Sequence, residues 1–217
     1  MRVAATAAAM VLLLLSGAAA AENLKIEPFD EASRHPDFLA FRTNFLEAVR
    51  GRDLAAVLAA TAPDVKVWND EKGDGIRTLE RQLAGGWSGA DADAYWAQLE
   101  DALALGGGFL KDGSFCAPYV YVASLPVPST GFSEAFITHA RVKLYSKPTE
   151  DSAVIGRLSY AVAPIAAWID RDWVKIALAD GGFGYLSRRD FRIKGDYHAC
   201  FQPEPEGWRM TVFTVGE

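Results

Sequence analysis

The sequence predicts an α+β domain, interrupted by a small all-β barrel and completed by a C-terminal β-hairpin. Three observations predict this. Apolar residues in the first half recur at helical spacing; from Thr138 onward there are only short strands and turns; and two alternating strands, 197–201 and 208–213, follow a barrel that already has enough strands of its own. The resulting segments are a secretory signal at 1–21, an α+β part at 22–137, the barrel at 138–192, and a hairpin at 193–217 that returns to the α+β part.

Arg2 supplies the positive start of the signal, residues 4–15 its apolar stretch, and Ala19-Ala20-Ala21 the small-residue cleavage site. The apolar stretch is about a dozen residues against the roughly 20 of a spanning helix, so no membrane span is expected. No cysteine lies near the cleavage site to take a lipid. The expected mature protein is periplasmic or secreted, begins at Glu22 and keeps about 196 residues. Loss of Arg2 makes the formal net charge of −6 one unit more negative. Nucleic acids and anionic polymers reward clustered Lys and Arg, so neither is an expected partner.

Phe38, Leu39, Phe41, Phe45, Leu46 and Val49 recur at spacings of three and four between Pro36 and Gly51, which predicts an amphipathic helix over 36–50. Asp53 is placed to cap a second helix over 54–60, and Val65-Lys66-Val67-Trp68 alternates as a strand does. Residues 76–83 read as a short helix. Residues 90–105 read as a longer one, with Asp91 or Asp93 near its start and Gly106-Gly107-Gly108 as its stop. The stretch 115–122, broken by Pro118, reads as an edge or irregular strand, and Pro126-Val127-Pro128-Ser129-Thr130-Gly131 as a turn-rich connector. No internal repeat is evident.

The segment 140–192 holds, in order, Val142-Lys143-Leu144-Tyr145-Ser146-Lys147-Pro148, Val154-Ile155-Gly156-Arg157-Leu158, Trp173-Val174-Lys175-Ile176 and Gly181-Gly182-Phe183-Gly184-Tyr185-Leu186. Alternation in 173–176 sends one set of side chains inward and the other outward. Gly181 and Gly184 permit backbone conformations that a side chain would hinder. After Phe191, strand 197–201, a Pro-rich turn at 202–207 and strand 208–213 make a hairpin that needs another sheet, and the sheet of the first half is the nearest candidate. Two cysteines in an exported chain, Cys116 and Cys200, predict one disulfide joining those same two parts across 84 positions.

These residues resemble the bacterial SH3-like (SH3b) barrel, a small exported module often found in cell-wall proteins. Val142, Leu144 and Pro148 match its opening strand and first long loop. Val154-Ile155-Gly156 and Leu158 match its next strand, Trp173, Lys175 and Ile176 its tryptophan strand, Gly181, Gly184 and Tyr185 its Gly-x-x-Gly-aromatic turn, and Phe191 its closing position. Tyr145 and Lys147 stand where the family commonly has arginine and glycine, so no ligand preference is carried over. What the resemblance implies is a shallow groove between the long loops that holds a peptide or glycan. Its candidate residues are the aromatics Tyr145, Trp168, Trp173 and Tyr185, with Asp172 and Asp180 as acceptors for a peptide amine. Core or surface packing is the other use of each aromatic, and both uses stay open here.

The flanks resemble cystatin-like and nuclear-transport-factor-like α+β folds, through 45–54, Ala62-Pro63-Asp64 and the closing Gly207-Trp208-Arg209-Met210 with Phe213. That resemblance implies a sheet curled around a helix, often with a pocket. The whole layout is similar to uncharacterised exported proteobacterial proteins with the barrel in the same place.

No reaction is legible. A cysteine hydrolase needs a thiolate beside a histidine, and neither Gly113-Ser114-Phe115-Cys116-Ala117-Pro118 nor His198-Ala199-Cys200 resembles the Asp-Cys-Ser motif of wall peptidases. His35, His139 and His198 are scattered without zinc-ligand spacing. Asp70, Glu71 and Asp74 around Gly73 lack the full alternation and terminal glutamate of a calcium loop. No cofactor or metal is expected. The sequence thus leads to a non-enzymatic envelope protein that binds a peptide, a peptidoglycan fragment or an envelope protein. The alternative is an α+β pocket with a small ligand or hydrolase activity.

Overall fold

The computed structural model describes residues 23–68, 70, 73–85, 92–126 and 129–216. The signal sequence, Glu71, Asp91 and the pair Val127-Pro128 of the connector lie outside the described residues.

The described chain opens with a two-residue strand, β1 (Leu24–Lys25), and reaches α1 (Pro36–Arg50) on the expected residues. Pro36 sits in the first turn, where a missing N–H costs nothing. Phe38, Arg42, Phe45 and Val49 form its buried stripe. The Ala56 N–H donates to the Asp53 carboxylate at 3.0 Å and so caps α2 (Leu54–Ala59). Then come β2 (Thr61–Val67), α3 (Gly75–Ala84) and α4 (Ala92–Ala104).

The three glycines after α4 do more than stop it. A Cβ on Gly106 would lie 2.4 Å from the Phe29 carbonyl oxygen, and one on Gly107 would lie 2.2 Å from that of Cys116. Absent side chains let this backbone run between residues 29–31 and the next strands, β3 (Gly108–Phe109) and β4 (Phe115–Ala117). A single-turn helix, α5 (Tyr119–Val122), follows.

The remaining elements are strands, with a short 3-10 turn at 188–190: β5 (Glu134–Ile137), β6 (Val142–Tyr145), β7 (Val154–Leu158), β8 (Ala161–Trp168), β9 (Trp173–Ala177), β10 (Phe183–Ser187), β11 (Phe191–Arg192), β12 (His198–Glu204) and β13 (Gly207–Thr214). They build two sheets. The first runs β2-β13-β12-β4-β3, and the second runs β11-β5-β8-β9-β10-β6-β7, with β1 paired to β8 off that path.

The terminal hairpin does return to the first half. β13 pairs with β2 in parallel and β12 with β4 antiparallel. Cys116 stands directly opposite Cys200 in that second pair, and the two are joined by a disulfide. Two expectations are corrected. Residues 115–117 lie inside the sheet between β12 and β3 instead of at an edge, because Pro118 falls just after the strand and deprives it of no ladder bond. The Pro-rich stretch 202–207 is mostly strand: Pro203 faces Trp208 beyond the reach of β4, so its missing N–H is tolerated, and the turn shrinks to Pro205-Glu206.

The expected barrel is corrected as well. The second sheet is not closed: β7 and β11 end its path and do not pair with each other. It also takes in β5 and β1, from before residue 138. Residues from both halves of the path nonetheless share one core, Ala135 and Ile137 with Val142, Leu144, Val174, Ile176, Leu186 and Phe191, so the sheet curls over itself. A larger core lies between the first sheet and α1 to α4 and is rich in rings; Phe38 stands 4.4 Å from Phe115 and 4.6 Å from Trp208 between ring centroids. A third cluster, Tyr119, Val120 and Ala123 against Phe136 and Val162, joins the two sheets.

Candidate functional site

Alternation along three neighbouring strands decides what the second sheet shows to solvent. Leu144, Val174, Ile176 and Leu186 point into the core. The residues between them point out: Tyr145 is opposite Tyr185, Tyr185 is opposite Lys175, Ser187 is opposite Trp173 and Phe183 is opposite Ala177. The rings of Tyr145 and Trp173 meet edge to face at 5.5 Å, and Lys175 Nζ lies 4.2 Å from the centre of the Phe183 ring. Tyr145 is covered by its neighbours at 4% exposure, while Phe183 at the far end is 51% exposed. Gly184 keeps this strand close to its neighbour, since a Cβ there would lie 2.5 Å from the Leu144 side chain.

The structure therefore brings together Tyr145, Trp173 and Tyr185, adds Phe183 and Lys175 to them, and separates the other three candidates. An irregularity between Ile165 and Ala167 places Trp168 opposite Val174, hence on the other face from Trp173. Trp168 is 45% exposed, with its ring 6.2 Å from that of Phe191. Asp172 sits in the adjoining turn, where its carbonyl accepts the Arg188 N–H at 2.8 Å. Asp180 is at the opposite end of β9, and its carboxylate accepts the Gly182 N–H at 2.9 Å, which shapes the turn.

Two concavities flank this face. One, of about 430 Å³, runs between β1 and β7 and includes Lys25, Ile155, Arg157 and Asp180. The other, of about 600 Å³, lies where α4 meets the second sheet and is lined by Gln98, Asp101, His139, Asp172, Arg188 and Arg192, among others. Asp196 organises its floor: one carboxylate oxygen pairs with Arg188, and the other accepts the Ile193 N–H at 3.0 Å and lies 3.4 Å from Arg192 Nε. Burial disfavours the charged guanidinium of Arg192 and lowers its pKa, an effect that Asp196 opposes. The run Arg188-Arg189-Asp190-Phe191-Arg192 was the available sequence signal for this cleft, but its other wall comes from residues about 90 positions earlier, which no local pattern links to it.

The titratable groups elsewhere are largely spent on structure. Both sulfurs are in the disulfide, so neither is a nucleophile in this state. His198 is buried, stacked on Tyr121 at 3.9 Å and held below the usual histidine pKa by desolvation. Arg42 is buried against Asp30 and the Leu103 carbonyl, tying α1 to the end of α4. Among the described residues no three metal-ligating side chains converge. Against family models, curated proteins and solved structures, the chain has no match.

Proposed function

We propose that this chain is an exported, non-enzymatic binding protein of the cell envelope. In this reading its second sheet is an SH3-like module set into an α+β domain, and the face of Tyr145, Trp173, Tyr185 and Phe183 holds a peptide, from peptidoglycan or from an envelope protein. The observation that carries the reading is that Trp173, Tyr185 and Phe183 lie together on the outer face of this sheet, apart from its largely aliphatic core. Rings offer large contact area at low entropic cost, and Lys175 adds a cation beside them for a carboxylate on the ligand. Export is supported by the Cys116–Cys200 bridge, since disulfides persist in oxidising compartments. It also agrees with the finding that no described helix is long and apolar enough to cross a membrane.

The test is a pull-down with purified sacculi and, separately, with solubilised envelope proteins, comparing wild type with Trp173→Ala, Tyr185→Ala and Trp168→Ala. Loss of either ring from the shared face should weaken recovery roughly tenfold, the scale of a central aromatic anchor, with Trp168→Ala close to wild type. Equal recovery of all four proteins would remove this face from consideration.

A further inference from the structure

We propose that the cleft between α4 and residues 188–192 binds a small zwitterionic ligand, an amino acid or short peptide, with Arg192 receiving its carboxylate and Asp172 its ammonium group. This site is separate from the aromatic face and does not depend on it.

Hydrogen-bond accounting at Arg192 leads to this inference. Its side chain is only 12% exposed, so its N–H groups need partners within the protein or from a ligand. Nη2 donates to the Tyr197 carbonyl at 3.1 Å. Nε is sealed from solvent and faces Asp196 Oδ2 at 3.4 Å without hydrogen-bond geometry, while the nearest acid oxygen to Nη1 is Asp101 Oδ2 at 4.0 Å, beyond hydrogen-bond range. A mostly buried guanidinium whose Nη1 lacks a close acid oxygen is an arrangement that a bound carboxylate, accepting from Nη1, would relieve.

The neighbouring arginines are engaged differently. Arg188 donates to the Phe191 carbonyl at 2.9 Å, pairs with Asp196 and lies over the Phe191 ring, while Arg189 is paired with Glu150. Asp196 thus serves two guanidiniums with a single negative charge, and Asp101, largely solvated, only partly makes up the difference. Arg192 therefore shares its nearest carboxylate with Arg188, and no close acid oxygen meets the Nη1 side of its charge. That charge suits a carboxylate better than a phosphate, because a dianion would also face Asp101 and Asp172. The carboxylate of Asp172 is exposed in the same cleft and is available to a cation. A space of about 600 Å³ holds an amino acid or a short peptide.

The experiment is isothermal titration of the mature, disulfide-intact protein with L-alanine, L-alanyl-L-alanine, the dipeptide's C-terminal amide and its N-acetyl form. Alanine, the dipeptide or both should bind with a Kd between about 10 μM and 1 mM, which also separates the free amino acid from the peptide as the source of the carboxylate. The amide should bind about tenfold more weakly than the free dipeptide, and Arg192→Lys, which keeps the charge and loses the planar fork, should weaken the dipeptide by a similar factor. Asp172→Asn, a change at an exposed side chain, should weaken the free-amine ligands several-fold and leave the N-acetyl dipeptide unchanged. Trp173→Ala should leave these titrations as in wild type, so the two sites succeed or fail separately. The proposal is overturned by the absence of binding by alanine and dipeptide up to about 10 mM, by equal affinity for acid and amide, or by a folded Asp172→Asn that binds every ligand like wild type.

Discussion

The two sheets use their aromatic residues in opposite ways. The first sheet is open and covered by helices, and the space between is filled by Phe38, Phe45, Trp96, Phe115, Phe201 and Phe213. The second curls over a narrow interior that accepts alanines and aliphatic side chains with a single ring, Phe191, so Tyr145, Trp173, Tyr185 and Phe183 are displaced to its outer face. The contrast follows from geometry. Helix-on-sheet packing leaves a layer deep enough for many rings, whereas a tightly curled sheet has room chiefly for alanines and aliphatic side chains. Rings of the first sheet are therefore read as stability, and Trp173, Tyr185 and Phe183 of the second are the ones available for contact.

The sharpest way to break this comparison is to truncate one ring in each sheet. Phe38→Ala should lower unfolding free energy by about 3–5 kcal/mol in urea titration, while Phe183→Ala should change it by less than about 0.5 kcal/mol. Similar losses for both would show that the outer face is structural. Next in size is the disulfide. Replacing Cys116 and Cys200 together by alanine should cost about 2–4 kcal/mol, given the 84-residue separation, and hydrogen exchange should show β4 and β12 losing more protection than β9 and β10.

The smallest effect concerns pH. His198 is stacked on Tyr121, and its folded-state pKa is depressed by burial. The unfolded chain therefore takes up this proton first, so stability is full above the ordinary histidine value of about 6.5 and declines as pH falls from there toward the lower folded value. A His198→Gln variant should show a flatter urea midpoint between about pH 7.5 and pH 5 than wild type. An unchanged slope would mean that this imidazole contributes nothing to acid sensitivity.

Much of this architecture is local and could be read in advance. The stripe of α1, the Asp53 cap, and the alternation of Trp173 to Ile176 depend on neighbours a few residues apart. The return of the hairpin and the Cys116–Cys200 pairing were also legible, from a surplus of strands and an even cysteine count. Other features were not. β1 is only two residues long and β5, Glu134-Ala135-Phe136-Ile137, does not alternate polar with apolar, yet both complete the second sheet. Trp168 and Trp173 look equivalent in the sequence, and an irregularity between Ile165 and Ala167 sends them to opposite faces. The cleft around Arg192 draws on α4, residues 138–139 and 188–192, which are neighbours in space alone.

By itself the sequence determined where helices give way to strands, which residues alternate, and that two cysteines stand ready for one bridge. Tertiary structure decided which ends of the second sheet stay unpaired, which aromatics share a surface, and which guanidinium in a cleft shares its nearest carboxylate with another. The division has a physical cause. Backbone periodicity and capping act over a few residues and leave a local trace, whereas strand closure, facing and charge compensation depend on which distant segments pack together.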